Sequence, residues 1–196
     1  MRRTRLLVVA LACLGLGAST GQGVQPFLVR SNYLLLGNRG IQRALDYRLQ
    51  NYTEVRPTQF MGIGVKLHAK VHRPLRCVEA AIHRYCTDPY RPRDISGWRP
   101  ANTYKSPEVS NHVFGTAIDL DPTLNPCCGC VGDWARVERC AGLSAPEGEA
   151  PIGRHEIPAC WIEQFEAHGW YWLGNDPQLR DTMHFEYLGM PDAGCD

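Results

Sequence analysis

The sequence predicts an α+β fold: a small antiparallel sheet with flanking helices. Three observations carry that expectation. Short apolar–polar alternations recur between about residues 65 and 188, the period of half-buried strands. Two stretches, opened by Pro74 and Pro158, place apolar residues at helical spacing. The strand-like stretches cluster around one group of histidines and aspartates, which is how helices and strands segregate in α+β domains.

Residues 1–20 read as a secretory signal peptide. Arg2, Arg3 and Arg5 precede an apolar run from Leu6 to Leu16, followed by Gly17, Ala18 and Ser19. The apolar run is too short for a membrane-spanning helix, and Cys13 sits in a poor context for a lipid anchor. Residues 21–60 form an N-terminal extension with one predicted helix, 41–52, on Ile41, Leu45, Leu49 and Tyr52. The main domain is expected over 61–196.

Within that domain, residues 65–72 alternate and favour a strand, although they also have helical neighbours. Pro74 suits a first helical turn, with Leu75, Val78, Ile82 and Tyr85 as the apolar stripe. Residues 94–99, bounded by Pro92 and Pro100, read as a short strand, and 115–121 as another. Pro158 opens a helix reaching His168, with Trp161, Ile162 and Phe165 on one side and Gly169 as its cap. Residues 170–173 and 182–188 read as paired strands around the turn Gly174-Asn175-Asp176-Pro177.

The chain has 21 Lys+Arg and 20 Asp+Glu. Removing the leader with its three arginines leaves 18 basic side chains against 20 acidic ones. Nothing in this balance suggests nucleic acid, which would need a strongly basic face. Of nine cysteines, Cys13 lies in the leader. The remaining Cys77, Cys86, Cys127, Cys128, Cys130, Cys140, Cys160 and Cys195 read as up to four disulfides of an exported protein. Cys127-Cys128-Gly129-Cys130 could instead hold a metal, but no matching pair stands at zinc-ribbon distance, which favours disulfides. Residues 125–160, rich in Gly, Pro and Cys, read as a disulfide-tied insertion.

The chemistry concentrates in Ser110-Asn111-His112-Val113-Phe114-Gly115-Thr116-Ala117-Ile118-Asp119 and in Asp181-Thr182-Met183-His184. Two histidines and one carboxylate are the ligand set of a catalytic zinc with one position open for water. His112 and Asp119 lie seven positions apart, so on one straight strand they would face opposite ways. They converge only if the chain bends, and Gly115 is the natural place. Ala117 would then share a face with Asp119 and leave room for substrate, while Asp121 is the competing carboxylate. In the second stretch Met183, Phe185 and Tyr187 suit the core, and His184 and Glu186 the site. Asp181 needs a turn to join them. A carboxylate near the water could act as base and later protonate a leaving amine. Arg99, in Ser96-Gly97-Trp98-Arg99, is the candidate cation for substrate.

These residues resemble the zinc D-alanyl-D-alanine metallopeptidases, whose pattern is S-x-H-x-x-G-x-A-x-D followed later by an acidic residue three before a histidine. The chain matches at Ser110, His112, Gly115, Ala117 and Asp119, then at Asp181 and His184. The ending Asp181-Thr182-Met183-His184-Phe185-Glu186 is similar to the carboxypeptidase type. The resemblance implies zinc on His112, Asp119 and His184. It also implies Asp181 as base, Arg99 and Ser110 contacting substrate, and the α+β fold shared with the hedgehog signalling domain. It covers about residues 75–188; the insertion 125–160 and the segment 21–60 have no counterpart in it.

The resulting expectation is an exported, periplasmic or secreted peptidase acting on D-amino-acid-containing peptides of peptidoglycan, with D-Ala-D-Ala carboxypeptidase activity or cleavage of an internal or cross-link bond. A non-catalytic zinc domain binding cell wall or a protein partner is the second reading. Retention of Asp181 argues against it, since a pure binding site needs no base. A disulfide-stapled structural protein with a chance motif is the third. Glu186 is expected to support the site rather than react. His68 and His72, four apart, lack an accompanying catalytic carboxylate. His83, His155 and His168 are expected at the surface or at helix ends, and Trp161, Trp170, Tyr171 and Trp172 in the core.

Overall fold

The computed structural model describes residues 54–102, 110–130, 137–188 and 195. The expected signal sequence and the helix at 41–52 lie outside the described residues. The described part is α+β, as the sequence predicts, with its strands in two antiparallel sheets.

The first sheet is a hairpin of β1 (Val55–Phe60) and β2 (Ile63–His68). Met61 and Gly62 form its two-residue turn, both at positive φ (51° and 79°), the geometry whose twist matches two antiparallel strands. The backbone N–H of Met61 donates to Glu79 Oε1 at 3.0 Å, a tertiary bond that holds the left-handed residue. The strand expected over 65–72 therefore starts earlier and stops at His68. There the His68 Nδ1 accepts from the Lys70 N–H, so the chain tightens into a short 3-10 turn and enters a helix.

That helix, α1 (His72–Tyr85), buries Pro74, Leu75, Cys77, Val78, Ala81 and Ile82. Tyr85, expected on the apolar stripe, is 60% exposed. Its inward position is taken by Cys86, which packs on the core and is disulfide-bonded to Cys160. The Tyr85 ring lies instead against the Arg84 guanidinium.

The second sheet holds β3 (Ile95–Ser96), β4 (Ala117–Leu120), β5 (Trp170–Trp172) and β6 (His184–Tyr187) in the order β3-β4-β6-β5. The strands expected at 94–99 and 115–121 are shorter than the sequence suggested. Beyond Ser96 the chain leaves β4, and the Trp98 N–H donates instead to Lys66 O of β2. At the other end Asp121 sits at φ 42°, which breaks the extended run. Between β4 and β5, Pro158 caps α2 (Ala159–Ala167), and Gly169 at φ 83° closes it.

One core joins both sheets and both helices. Phe60, Leu67, Leu75, Val78, Ile82, Ile118, Leu120, Trp161, Phe165, Trp170, Phe185 and Tyr187 are its buried members. Phe165 is the pivot: it stacks on Phe185 at 4.0 Å between ring centroids and meets Phe60 and Trp170 edge-on. The aromatic group expected in the core is there, with Tyr171 half-buried.

Among the described residues, all eight cysteines pair. Cys77–Cys195 and Cys86–Cys160 close long loops, with separations of 118 and 74 residues. Cys128–Cys140 and Cys127–Cys130 close short ones, with separations of 12 and 3. On a loop-closure account the long pair each restrict the unfolded chain by roughly 4–5 kcal/mol, and the shortest by under about 2 kcal/mol. The Cys127-Cys128-Gly129-Cys130 cluster is thus a disulfide knot, as favoured from the sequence.

Gly115 makes the bend between His112 and β4. It sits at φ 69°, and a Cβ there would fall 2.8 Å from the backbone N of His68. Strain and overlap act together, so Gly115→Ala should lower stability by about 1–3 kcal/mol. Chemical denaturation of the metal-free protein measures it; an unchanged midpoint would show that the bend tolerates a side chain.

Candidate metal centre

The register of β4 against β6 builds the centre. Asp119 pairs with His184, Ile118 with Phe185, and Ala117 with Glu186. Paired residues share a face, so Asp119 and His184 stand side by side while Ile118 and Phe185 enter the core. Ser96 of β3 pairs with Asp119 on its other side, and its hydroxyl donates to Asp119 Oδ2 at 3.2 Å. Ser96, Asp119 and His184 thus form one row across the sheet.

His112 reaches the row from a 3-10 turn, Asn111–Phe114, capped by Ser110 and closed by Gly115. The turn is tied to β2 by the His68 N–H donating to Gly115 O at 2.8 Å, and to the 97–99 segment by the Arg99 N–H donating to His112 O at 3.2 Å. His112 Nδ1 lies 2.6 Å from Gly97 O. A carbonyl only accepts, so Nδ1 carries the proton and Nε2 presents its lone pair.

Three atoms then meet. His112 Nε2 is 3.0 Å from His184 Nδ1 and 3.0 Å from Asp119 Oδ1, and His184 Nδ1 is 2.9 Å from Asp119 Oδ1. All three residues are buried. Ligand atoms about 2.0–2.1 Å from one tetrahedral metal stand roughly 3.3 Å apart, so this triangle fits a single ion with little adjustment. The donor set is also right: two imidazole nitrogens and one carboxylate. Across the ring, His184 Nε2 lies 3.5 Å from Glu186 Oε2, and Asn111 Nδ2 donates to that same oxygen at 2.7 Å. Glu186 therefore backs His184 and favours the tautomer that leaves Nδ1 for a metal.

Without a metal, the cation is a proton. Burial opposes charge on His184, but the Asp119 and Glu186 carboxylates outweigh it and push its pKa up to about 10. Burial pushes His112 down, against the pull of Asp119. Burial would raise Asp119 too, yet the two histidines hold it well below the ordinary carboxylate range. A metal bound to these atoms would compete with the proton that the two carboxylates favour on His184.

Arg99 and Ser110 stand at the rim. Arg99 Nη2 donates to Ser110 Oγ at 3.3 Å, and Nη1 is 3.7 Å from Asp119 Oδ2. The Arg99 side chain is 32% exposed, so it is reachable from solvent. Ser110 is fully buried and its hydroxyl also accepts from the His112 N–H; it caps the turn and steadies Arg99. Asp121, the competing carboxylate, is committed elsewhere: it accepts from the Tyr90 hydroxyl and from the N–H groups of Arg93 and Asp94, each at 2.8 Å.

Asp181 lies outside the triangle but within its field. A turn before β6 brings it back, and it bridges to Cys127 on its other side. It is buried, and its Oδ1 has no hydrogen-bond partner. Burial raises its pKa to about 7, with His184 pulling down and Asp119 pushing up. A carboxyl group balanced near neutrality can take and return a proton. His68 and His72 stay apart from the centre, bonded to Lys70 N and Leu67 O. His155 and His168 bond the carbonyls of Ile157 and Gln164. The supporting roles of Ser96, Gly97 and Asn111 went unread in the sequence. No local sequence pattern points to any of the three contacts.

Asp181 also gives a pH signature. Its pKa rises on folding from 3.8 to about 7, so the folded state holds the proton more tightly and loses stability as pH rises between those values. Asp181→Asn should remove the loss: no gain near pH 3.5, and a gain above pH 7 that the shift caps at about 4 kcal/mol. Thermal denaturation of both metal-free proteins across pH measures it, and a gain independent of pH would refute a buried, ionising Asp181.

Residues 104–187 match the family model described as D-alanyl-D-alanine carboxypeptidase. No curated protein and no solved structure matches the chain. The matched segment contains Ser110, His112, Asp119, Asp181 and His184; Arg99 precedes it. The family that the sequence resembles is thus the one whose model matches this segment of the chain.

Proposed function

We propose that this protein is an exported zinc peptidase that removes the terminal residue from D-Ala-D-Ala-ended stem peptides of bacterial peptidoglycan. The observation that carries the reading is the closed triangle of His112 Nε2, Asp119 Oδ1 and His184 Nδ1, all within 3.0 Å, beside the Asp181 carboxylate, whose buried Oδ1 has no hydrogen-bond partner. A zinc ion held by those three atoms would acidify water and polarise the scissile carbonyl. Asp181 would accept the water's proton and pass it to the departing amine. Arg99, steadied by Ser110, would pair with the substrate's terminal carboxylate, which favours a free chain end over an internal bond. Buried walls around Asp119 and His184 would keep bulk water from screening these charges.

Four disulfides support an oxidising compartment, in line with the expected leader. Among the described residues, no helix is long and apolar enough to cross a membrane.

The test uses the purified protein with its disulfides formed, its metal content determined, and a stem pentapeptide ending in D-Ala-D-Ala. Mass spectrometry should show loss of one alanine, abolished by a chelator and restored by zinc. Asp181→Asn should keep the metal and lose at least about 100-fold in kcat. An intact pentapeptide with stoichiometric zinc bound would favour cleavage of an internal or cross-link bond. If no cell-wall fragment is cut, the binding-domain reading stands instead.

Arg99→Ala has a separate outcome. Loss of a charge-assisted contact of roughly 1.5–3 kcal/mol should cost about 10–100-fold in kcat/KM. The loss should shrink for a substrate amidated at its C-terminus. An equal loss for both substrates would take Arg99 away from the carboxylate.

A further inference from the structure

We propose that Cys127, Cys130 and Asp181 form a second metal site, closed while the two cysteines are disulfide-bonded and opened by their reduction. Among the described residues, only two groups bring three potential ligands together. One is the triangle above; the other is Cys127, Cys130 and Asp181, with both sulfurs and a carboxylate oxygen within 4.8 Å of one another. In the oxidised protein the sulfurs are bonded to each other and offer no thiolate. Once reduced, two cysteines separated by two residues are the spacing that grips one zinc-class ion, and a carboxylate supplies the third ligand.

Asp181 is an independent pointer to a ligand. It is 6% exposed, and its Oδ1 is a buried oxygen with no hydrogen-bond partner. Such an oxygen is costly to leave unpaired.

The loop should keep its shape without the disulfide, because other bonds hold it. Gly129 N–H donates to Leu179 O at 2.7 Å, and Thr182 donates to Pro126 O through both its N–H and its hydroxyl. Cys127 pairs with Asp181 along the backbone. A Cβ on Gly129 would fall inside Gln178 O, so the loop is seated against the 178–179 segment. Cys128–Cys140 anchors it from the other side. The Cys127–Cys130 loop is the shortest of the four, so opening it frees the least chain entropy. Cys130 is half-buried and Cys127 fully buried, so an external thiolate attacks at Cys130.

The chemistry balances. A dithiol attacks the Cys130 sulfur, the S–S bond breaks, and a mixed disulfide forms. The second thiol of the reductant then releases Cys130 and leaves as a cyclic disulfide. Two electrons pass to Cys127 and Cys130, which become thiols, and a divalent ion displaces their two protons on binding. With its carboxylate on that ion, Asp181 is withdrawn from proton transfer. This last consequence rests on the peptidase reading; the metal site does not.

The test is a cadmium titration of the chelator-stripped full protein, oxidised and after graded reduction with a water-soluble phosphine. Alkylation and mass spectrometry identify which cysteines are free. The oxidised protein should bind cadmium without a thiolate-to-metal charge-transfer band, since the first centre has no sulfur. After selective opening of Cys127–Cys130, one further equivalent should bind with that band. Asp181→Asn should weaken this second equivalent by roughly tenfold or more, while Glu149→Gln, a surface control, should not. Absence of the band in the reduced protein overturns the proposal. So does loss of the fold on reduction, or opening of another disulfide before Cys127–Cys130. Band formation with unchanged turnover would keep the metal site and remove Asp181 from the peptidase mechanism.

Discussion

A buried negative charge organises this molecule. Asp119 lies on a strand covered on both sides, where an unpaired carboxylate would be prohibitively costly. Its neighbours are arranged to satisfy it: Ser96 donates from the adjoining strand, His112 and His184 bring imidazoles, and Arg99 brings a guanidinium. They come from three segments of the chain, so the carboxylate fixes the relative positions of those segments. The β4–β6 register and the Gly115 bend are the backbone form of the same constraint. Move either by one residue and the charge faces the core unpaired.

Much of this was legible in the sequence because strand geometry is periodic. Alternation placed His184 and Glu186 on one face and Phe185 and Tyr187 on the other, and the odd interval between His112 and Asp119 demanded a bend for which Gly115 was the natural place. What stayed hidden depended on contacts distant in sequence. Nothing local says that Gly97 lends a carbonyl to His112 or that Asn111 holds Glu186. The choice between Asp119 and Asp121 was open for the same reason. It turns on Tyr90 and on the backbone of 93–94, which surround Asp121 with donors and leave it no role in the centre. Tyr85 was misplaced because helical periodicity ran on past the point where Cys86 takes over the core contact.

The disulfides divide the work. Cys77–Cys195 and Cys86–Cys160 bind the first helix to the end of the chain and to the second helix, and act on the whole fold. Cys128–Cys140 and Cys127–Cys130 act locally, around the strand edge that carries Asp181. The local pair sits beside Asp181, whose pKa burial raises to about 7.

The order β3-β4-β6-β5 has a consequence for how the protein is made. The central partner of β4 is the last strand of the sheet, 65 residues later at the Asp119–His184 contact. A growing chain can form its first hairpin, its first helix and the turn bearing His112. It cannot gather the three ligands until His184 has left the ribosome. On the proposed peptidase reading, the half-made protein therefore has no centre with which to cut a peptide bond. Truncation anywhere before the final strand also yields a chain that is inert, rather than one that is active and unregulated.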